Sequence, residues 1–168
     1  MNYLKSWLIT GCLMLGLSLP LLAQDILPEI TVRAVRYKYL NAVDQKDLAQ
    51  PVKMLQKMAA EYDVKASDLY VEDYDEYQVS FYIPSGTILA SYDREGKLLS
   101  TVERYTDIAL PEAVRMAIGQ RYPGWSIPKD VYLVNYFEQR GATKVYKVTL
   151  QNGDKRIRVK TNDKGEFI

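Results

Sequence analysis

Any chemistry in this 168-residue chain has to come from carboxylates, hydroxyls and bases, because it holds no histidine and a single cysteine, Cys12. Without histidine or a second thiol, neither a Ser-His-Asp nor a Cys-His nucleophile can be assembled, and zinc sites built on those ligands are excluded. Gly119, Gly124 and Gly141 match neither of the glycine-rich phosphate-loop patterns. Carboxylates are plentiful, so residue types alone leave a carboxylate-pair hydrolase as an alternative. The acids crowd into one stretch: Glu61, Asp63, Asp68, Glu72, Asp73, Asp75 and Glu76, with Lys65 the only base among them. They lack the Asp-x-Asp-x-Asp-Gly spacing of a calcium loop. The expectation is a non-enzymatic protein with no cofactor and no metal.

Tyrosines and bases are the other useful groups. The chain has 14 tyrosines, and between Thr143 and Lys164 it places seven bases against two acids. Tyrosine supplies a large contact area with a polar tip, which suits a protein-binding surface, although tyrosines and bases also serve as ordinary solvent-side cover on antiparallel sheets. Opposite polarity in the two halves either orients a charged partner or lets the halves attract each other.

These groups are carried on a chain that reads as exported. Lys5 is the only charged residue before an apolar run from Trp7 to Leu22, followed by Ala23-Gln24-Asp25. That layout is a secretory signal peptide over residues 1–23, cut between Ala23 and Gln24. Gly11, Gly16, Ser18 and Pro20 interrupt the run and argue against an uncleaved span. Cys12 faintly matches a lipoprotein box, but the apolar run continues past it to Leu22, so it is expected to leave with the signal. The mature chain is then periplasmic or secreted, has no transmembrane helix, and must be stable without a disulfide. Removing 23 of 168 residues leaves 145, enough for one core, and takes Lys5 away, so bases and acids balance at 21 each. Nothing in that balance points to nucleic acid.

Helix signals occur twice. Pro51 opens a segment with Met54, Leu55, Met58, Ala59 and Tyr62 at helical spacing. Sixty residues on, Pro111, Val114, Ile118 and Tyr122 repeat the pattern, and Pro123-Gly124 ends it. The likeness extends to Asp68–Tyr74 against Asp130–Tyr136, and to Tyr77, Val79, Phe81, Ile88 and Ala90 against Tyr146, Val148, Leu150, Ile157 and Val159. Ser85-Gly86 and Asn152-Gly153 mark hairpins, and further turns fall at Asp93–Lys97 and Asp163–Glu166. Leu98–Tyr105 adds a further strand to the first copy.

The expected fold class is therefore α+β: tandem helix-plus-antiparallel-meander units, with the helices packed on one face of the sheet. The first unit spans 51–106 and the second 107–168. Residues 24–50 precede them as a linker in which Ile30, Val32, Ala34 and Arg36 alternate as an added edge strand, with a loop over Asn41–Ala49.

Alternation then assigns the faces. The core side takes Leu69, Val71, Tyr77, Val79, Phe81, Ile88 and Ala90 from the first unit, and Val131, Leu133, Tyr146, Val148, Leu150, Ile157 and Val159 from the second. The open side takes Leu89 and the candidate partner-binding residues Tyr70, Tyr74, Tyr82, Tyr132, Tyr136, Lys147, Arg156, Arg158 and Lys160. Two binding roles follow: a protein or peptide of the cell envelope held on the tyrosine-lined face, or a small ligand or polyanion held on the basic strands.

The helix start Leu110-Pro-Glu-Ala-Val114, its end Tyr122-Pro-Gly-Trp125, the hairpin at Asn152-Gly153-Asp154 and the closing Asp163-Lys-Gly165 resemble the PepSY-like family. These are exported domains of Bacteroidetes-type bacteria, related in fold to the β-lactamase inhibitor proteins (BLIP-like). The resemblance is best over 110–168 and weaker over 51–105. It implies helix-plus-meander units in an exported protein and, by way of the inhibitors, partner binding through an open sheet face. The cysteines of the inhibitors' disulfides have no counterpart here, and no binding motif carries over residue by residue.

Overall fold

The computed structural model describes residues 28–168, with side chains from Val35 onward. The expected signal peptide and its cut at Ala23/Gln24 lie outside the described residues. The helices are α1 (Pro28–Val43), α2 (Gln50–Glu61) and α3 (Glu112–Arg121). The strands are β1 (Glu76–Ile83), β2 (Gly86–Asp93), β3 (Leu98–Thr106), β4 (Ser126–Phe137), β5 (Gly141–Asn152) and β6 (Lys155–Thr161). All six strands join one antiparallel sheet in chain order, β1-β2-β3-β4-β5-β6. The architecture is α+β. No helix among the described residues is long and apolar enough to cross a membrane.

Local signals explain most of these elements. Pro51 sits in the first turn of α2, where its missing N–H loses no bond. Glu112 and Arg121 stand in the first and last turns of α3, each complementing the helix dipole. Short turns join β1 to β2, where Ile83 pairs with Gly86, and β5 to β6, where Asn152 pairs with Lys155 around Gly153 at φ +55°. Gly86 is needed for closeness: a Cβ there would fall 2.2 Å from the ring of Tyr105, its partner on β3. Gly165 combines φ +83° with a position where a Cβ would lie 2.6 Å from the carbonyl oxygen of Ala113, so it lets the C-terminal turn pack against α3.

Four expectations are corrected. The segment expected as an added edge strand is helix α1, and its helix runs on through Val43, into the expected loop. The alternation of Ile30, Val32 and Ala34 competes there with Val35, Tyr39 and Val43, spaced i, i+4, i+8, and those three are buried. A strand would have extended one edge only; the helix lies across β3, β4 and β5 and covers apolar surface.

Asp68–Tyr74, expected to be a strand, is a series of turns closed by Ser67 N–H to Val64 O, Tyr70 N–H to Ser67 O and Tyr74 N–H to Val71 O. Leu69 and Val71 are therefore exposed rather than core. Ser67, Asp68 and Asp73 favour turns, and a strand would have lined up the like charges of Glu72, Asp73, Asp75 and Glu76.

The buried face of α2 is rotated from the expected one. Val52, Leu55, Gln56, Ala59 and Ala60 face the core, while Met54 and Met58 are exposed.

The fourth correction is the phase of β4. Tyr132, Val134 and Tyr136 point into the core, and Val131 and Leu133 point the other way, half-buried. Both phases of this strand are apolar, so alternation cannot choose between them, and a one-residue change of phase reverses every side chain. Stacking decides it: the Tyr132 ring lies 4.3 Å from that of Tyr146 and 5.9 Å from that of Tyr105, and Tyr136 meets Tyr39 edge-on at 5.0 Å.

Candidate functional site

With α1 and α2 on one face of the sheet, the described residues leave the other face open. Cross-strand pairing sets its rows. One runs Ser80, Leu89, Val102, Asn135, Thr143, and the next runs Tyr82, Thr87, Arg104, Leu133, Val145. A third links Thr106, Val131, Lys147 and Lys160, and a fourth links Lys129, Thr149 and Arg158. Leu89, Val102, Leu133 and Val145 thus make a strip across the sheet, in which Val102 is 53% and Leu89 42% exposed. Phe137 extends the apolar surface at one end, with the Arg140 guanidinium 4.2 Å above its ring.

Charge divides this face. Its outward positions on β3 to β6 carry Arg104, Lys129, Lys147, Arg156, Arg158 and Lys160 and no acid; Glu76 and Asp93 pair with each other at the far corner, on β1 and β2. The acid-rich stretch before β1 and the basic strands β5 and β6 stand at opposite edges of one sheet, so the two polarised halves of the sequence do not neutralise each other within the fold.

The nine candidate residues separate accordingly. Tyr82 is 70% exposed, and Lys147, Arg156, Arg158 and Lys160 are exposed on the open side, as expected. Tyr70 and Tyr74 are on the turn-rich segment before β1, where Tyr70 stacks on Tyr77 at 5.7 Å and is half-buried while Tyr74 is exposed. Tyr132 and Tyr136 are fully buried on the helix side. The open face is therefore not tyrosine-lined; it is apolar and basic, with Tyr82 on its rim. Arg104 and Lys129 belong to the basic group and were not anticipated, although the alternation Val102-Glu103-Arg104 signalled that Arg104 and Glu103 face opposite ways.

Glu103 is the other unforeseen feature. It is 1% exposed beneath α1 and α2 and accepts four hydrogen bonds of 2.8 Å each: Tyr39 and Thr101 donate to Oε1, Gln56 and Tyr105 to Oε2. Burial pushes its carboxyl above the usual glutamate range, and the four donors pull it back. Four donors occupy the lone pairs of the carboxylate, so it has no edge to offer a substrate. Its work is to tie α1, α2 and β3 together.

Asp130 is buried with less support, since its Oδ2 has no partner. Burial raises its carboxyl to about 6; the Ile108 backbone opposes this and the charge of Asp107 adds to it. The folded chain holds this proton more tightly than the unfolded chain does, so the stability contribution is complete below about pH 4 and lost as pH rises to about 6. Asp130→Asn should flatten that slope and raise stability at pH 8 by about 1 kcal/mol, after allowing for the unmet amide donor. Urea titrations at pH 4, 6 and 8 check this; equal slopes in both proteins would refute it.

Among the described residues no group of three or more acidic, histidine or cysteine side chains is placed to hold a metal ion. No family model matches the chain, and no curated protein matches it in sequence.

Proposed function

We propose that this chain is an exported, non-enzymatic binding module of the PepSY-like kind, which holds an acidic polypeptide partner of the cell envelope on its open sheet face. The observation that carries the reading is the uncovered strip Leu89, Val102, Leu133 and Val145, set beside six outward bases with no acid among them. Apolar groups supply contact area, and the bases select and steer a negatively charged segment. A helix followed by antiparallel strands occurs twice, α2 before β1-β2-β3 and α3 before β4-β5-β6, although the sequence likeness matches β1 with β5 and β2 with β6 and the counterpart of β4, Asp68–Tyr74, is a series of turns. The PepSY-like assignment rests on the sequence resemblance over residues 110–168, and the exported setting on the apolar run before Ala23.

The test is capture from envelope and secreted fractions with residues 24–168 as bait, against Val102→Glu and Tyr82→Ala variants. Both side chains are exposed, so each variant should unfold within about 0.5 kcal/mol of the native protein. Val102→Glu should abolish capture of an acidic protein, Tyr82→Ala should weaken it, and raised salt should release the partner. A partner held equally by Val102→Glu would sink the reading.

A further inference from the structure

We propose that the recess between Arg104, Lys129, Lys147 and Arg158 is a binding site for a compact anion bearing two or more phosphate or sulfate groups. It extends beyond the polypeptide surface proposed above, since a soluble anion would occupy it whether or not the apolar strip has a partner.

The recess has a volume of about 290 Å³ and is lined by side chains from four consecutive strands: Arg104 of β3, Lys129 and Val131 of β4, Lys147 and Thr149 of β5, and Arg158 of β6. The polar side chains among its lining residues are two arginines, two lysines and one threonine, with no acid. Guanidinium forks match the paired oxygens of phosphate and sulfate, and ammonium groups add charge without demanding one direction. A volume near the lower end of those that hold small ligands is larger than a single tetrahedral anion needs.

Two further observations point to a ligand. Five bases elsewhere meet acids, Lys38 and Lys97 on Glu138, Lys57 on Glu61, Arg94 on Asp75 and Glu95, and Lys144 on Asp163, while others such as Arg115 and Lys155 do not. Among the described residues, none of the four bases of the recess makes an ion pair. Lys147 also stands directly opposite Lys160 on the next strand, a like-charge pair that weakens a sheet. An arrangement that opposes folding and gathers cations around one hollow is accounted for by an anion between them. Arg156 serves as an internal control: also exposed on the strand that carries Arg158, it donates to Gln151 Oε1 at 3.0 Å and does not line the recess.

The experiment is isothermal titration of the mature protein with orthophosphate, pyrophosphate and tripolyphosphate at about 0.15 M salt, paired with thermal melts. Tripolyphosphate should bind in a saturable 1:1 manner, about tenfold or more tighter than orthophosphate, and raise the melting temperature. Arg104→Ala and Arg158→Ala should each weaken it about tenfold or more, and Arg156→Ala by about twofold or less. Lys147→Thr should weaken binding while raising the melting temperature of the ligand-free protein, a pairing that a merely structural lysine would not produce. No saturable binding, or equal losses for Arg156→Ala and Arg158→Ala, would overturn the proposal, the second result meaning diffuse attraction to a basic surface. Loss of polypeptide capture in Val102→Glu with tripolyphosphate binding intact would support the anion site separately from the partner surface.

Discussion

Glu103→Ala is expected to lower the unfolding free energy by about 4 kcal/mol, a large part of the roughly 5–15 kcal/mol that holds a domain of this size. The substitution leaves the Tyr39 and Tyr105 hydroxyls, the Thr101 hydroxyl and the Gln56 amide facing a hole where each had an acceptor at 2.8 Å. Each stranded buried donor costs about 1–3 kcal/mol; relaxation of the hydroxyls, and the end of the penalty for burying a carboxylate, bring the total down. Glu103→Gln keeps one acceptor oxygen and the side-chain volume, so its loss should be about 1–2 kcal/mol. The two variants also differ from the native protein in pH dependence. Burial raises the Glu103 carboxyl, so its contribution is complete below the ordinary glutamate range and is lost as pH rises through the elevated folded value. Glu103→Gln should remove that part of the slope. Urea unfolding of the three proteins between pH 4 and 8 provides the check, and an alanine variant within about 1 kcal/mol of the native protein would show that the network does not hold the helices to the sheet.

Tyr132→Ala and Tyr136→Ala should each cost about 3–5 kcal/mol, and the double variant should not fold. Each ring is fully buried; Tyr132 is packed between Tyr105 and Tyr146, and Tyr136 against Tyr39 of α1. Loss of partner capture in the double variant would therefore report an emptied core and say nothing of a binding surface. Tyr136→Phe separates the ring from its hydroxyl. That hydroxyl is buried without a hydrogen-bond partner, so the phenylalanine variant should be as stable as the native protein, or more stable by up to about 1 kcal/mol. Thermal melts of the native protein and the four variants followed by circular dichroism decide the matter; a Tyr136→Phe variant destabilised by about 2 kcal/mol or more would mean that the hydroxyl does have a partner.

The legible parts of the fold share one property: their signal is local and uncontested. In β1, Tyr77, Val79 and Phe81 alternate with Gln78 and Ser80, and they are buried as expected. Val114 and Ile118 mark the inner face of α3, and Asn152-Gly153 marks the last hairpin. Contested signals went astray. In β4, apolar residues fill both phases. In α2, Met54 and Met58 competed with the small residues Ala59 and Ala60, which let the helix approach the sheet closely. The four exposed bases Lys147, Arg156, Arg158 and Lys160 were readable because β5 and β6 alternate cleanly. Arg104 and Lys129 were not joined to them, since only strand register brings β3 and β4 alongside.

By itself the sequence determined the residue chemistry and the local elements: no histidine, a near-even balance of 22 bases and 21 acids, two of the three described helices, and meanders joined by glycine-containing turns. Turn geometry and side-chain period act over a few residues, so they can be read along the chain. Tertiary structure alone decided that residues 28–43 form a helix, that Tyr132 and Tyr136 face inward, that Glu103 collects donors from α1, α2 and β3, and that bases from four strands surround one recess. Each depends on which segments become neighbours. A strand with two apolar phases or a charged residue among apolar ones has no preferred direction until the surface opposite supplies a stacking ring or a hydrogen-bond donor.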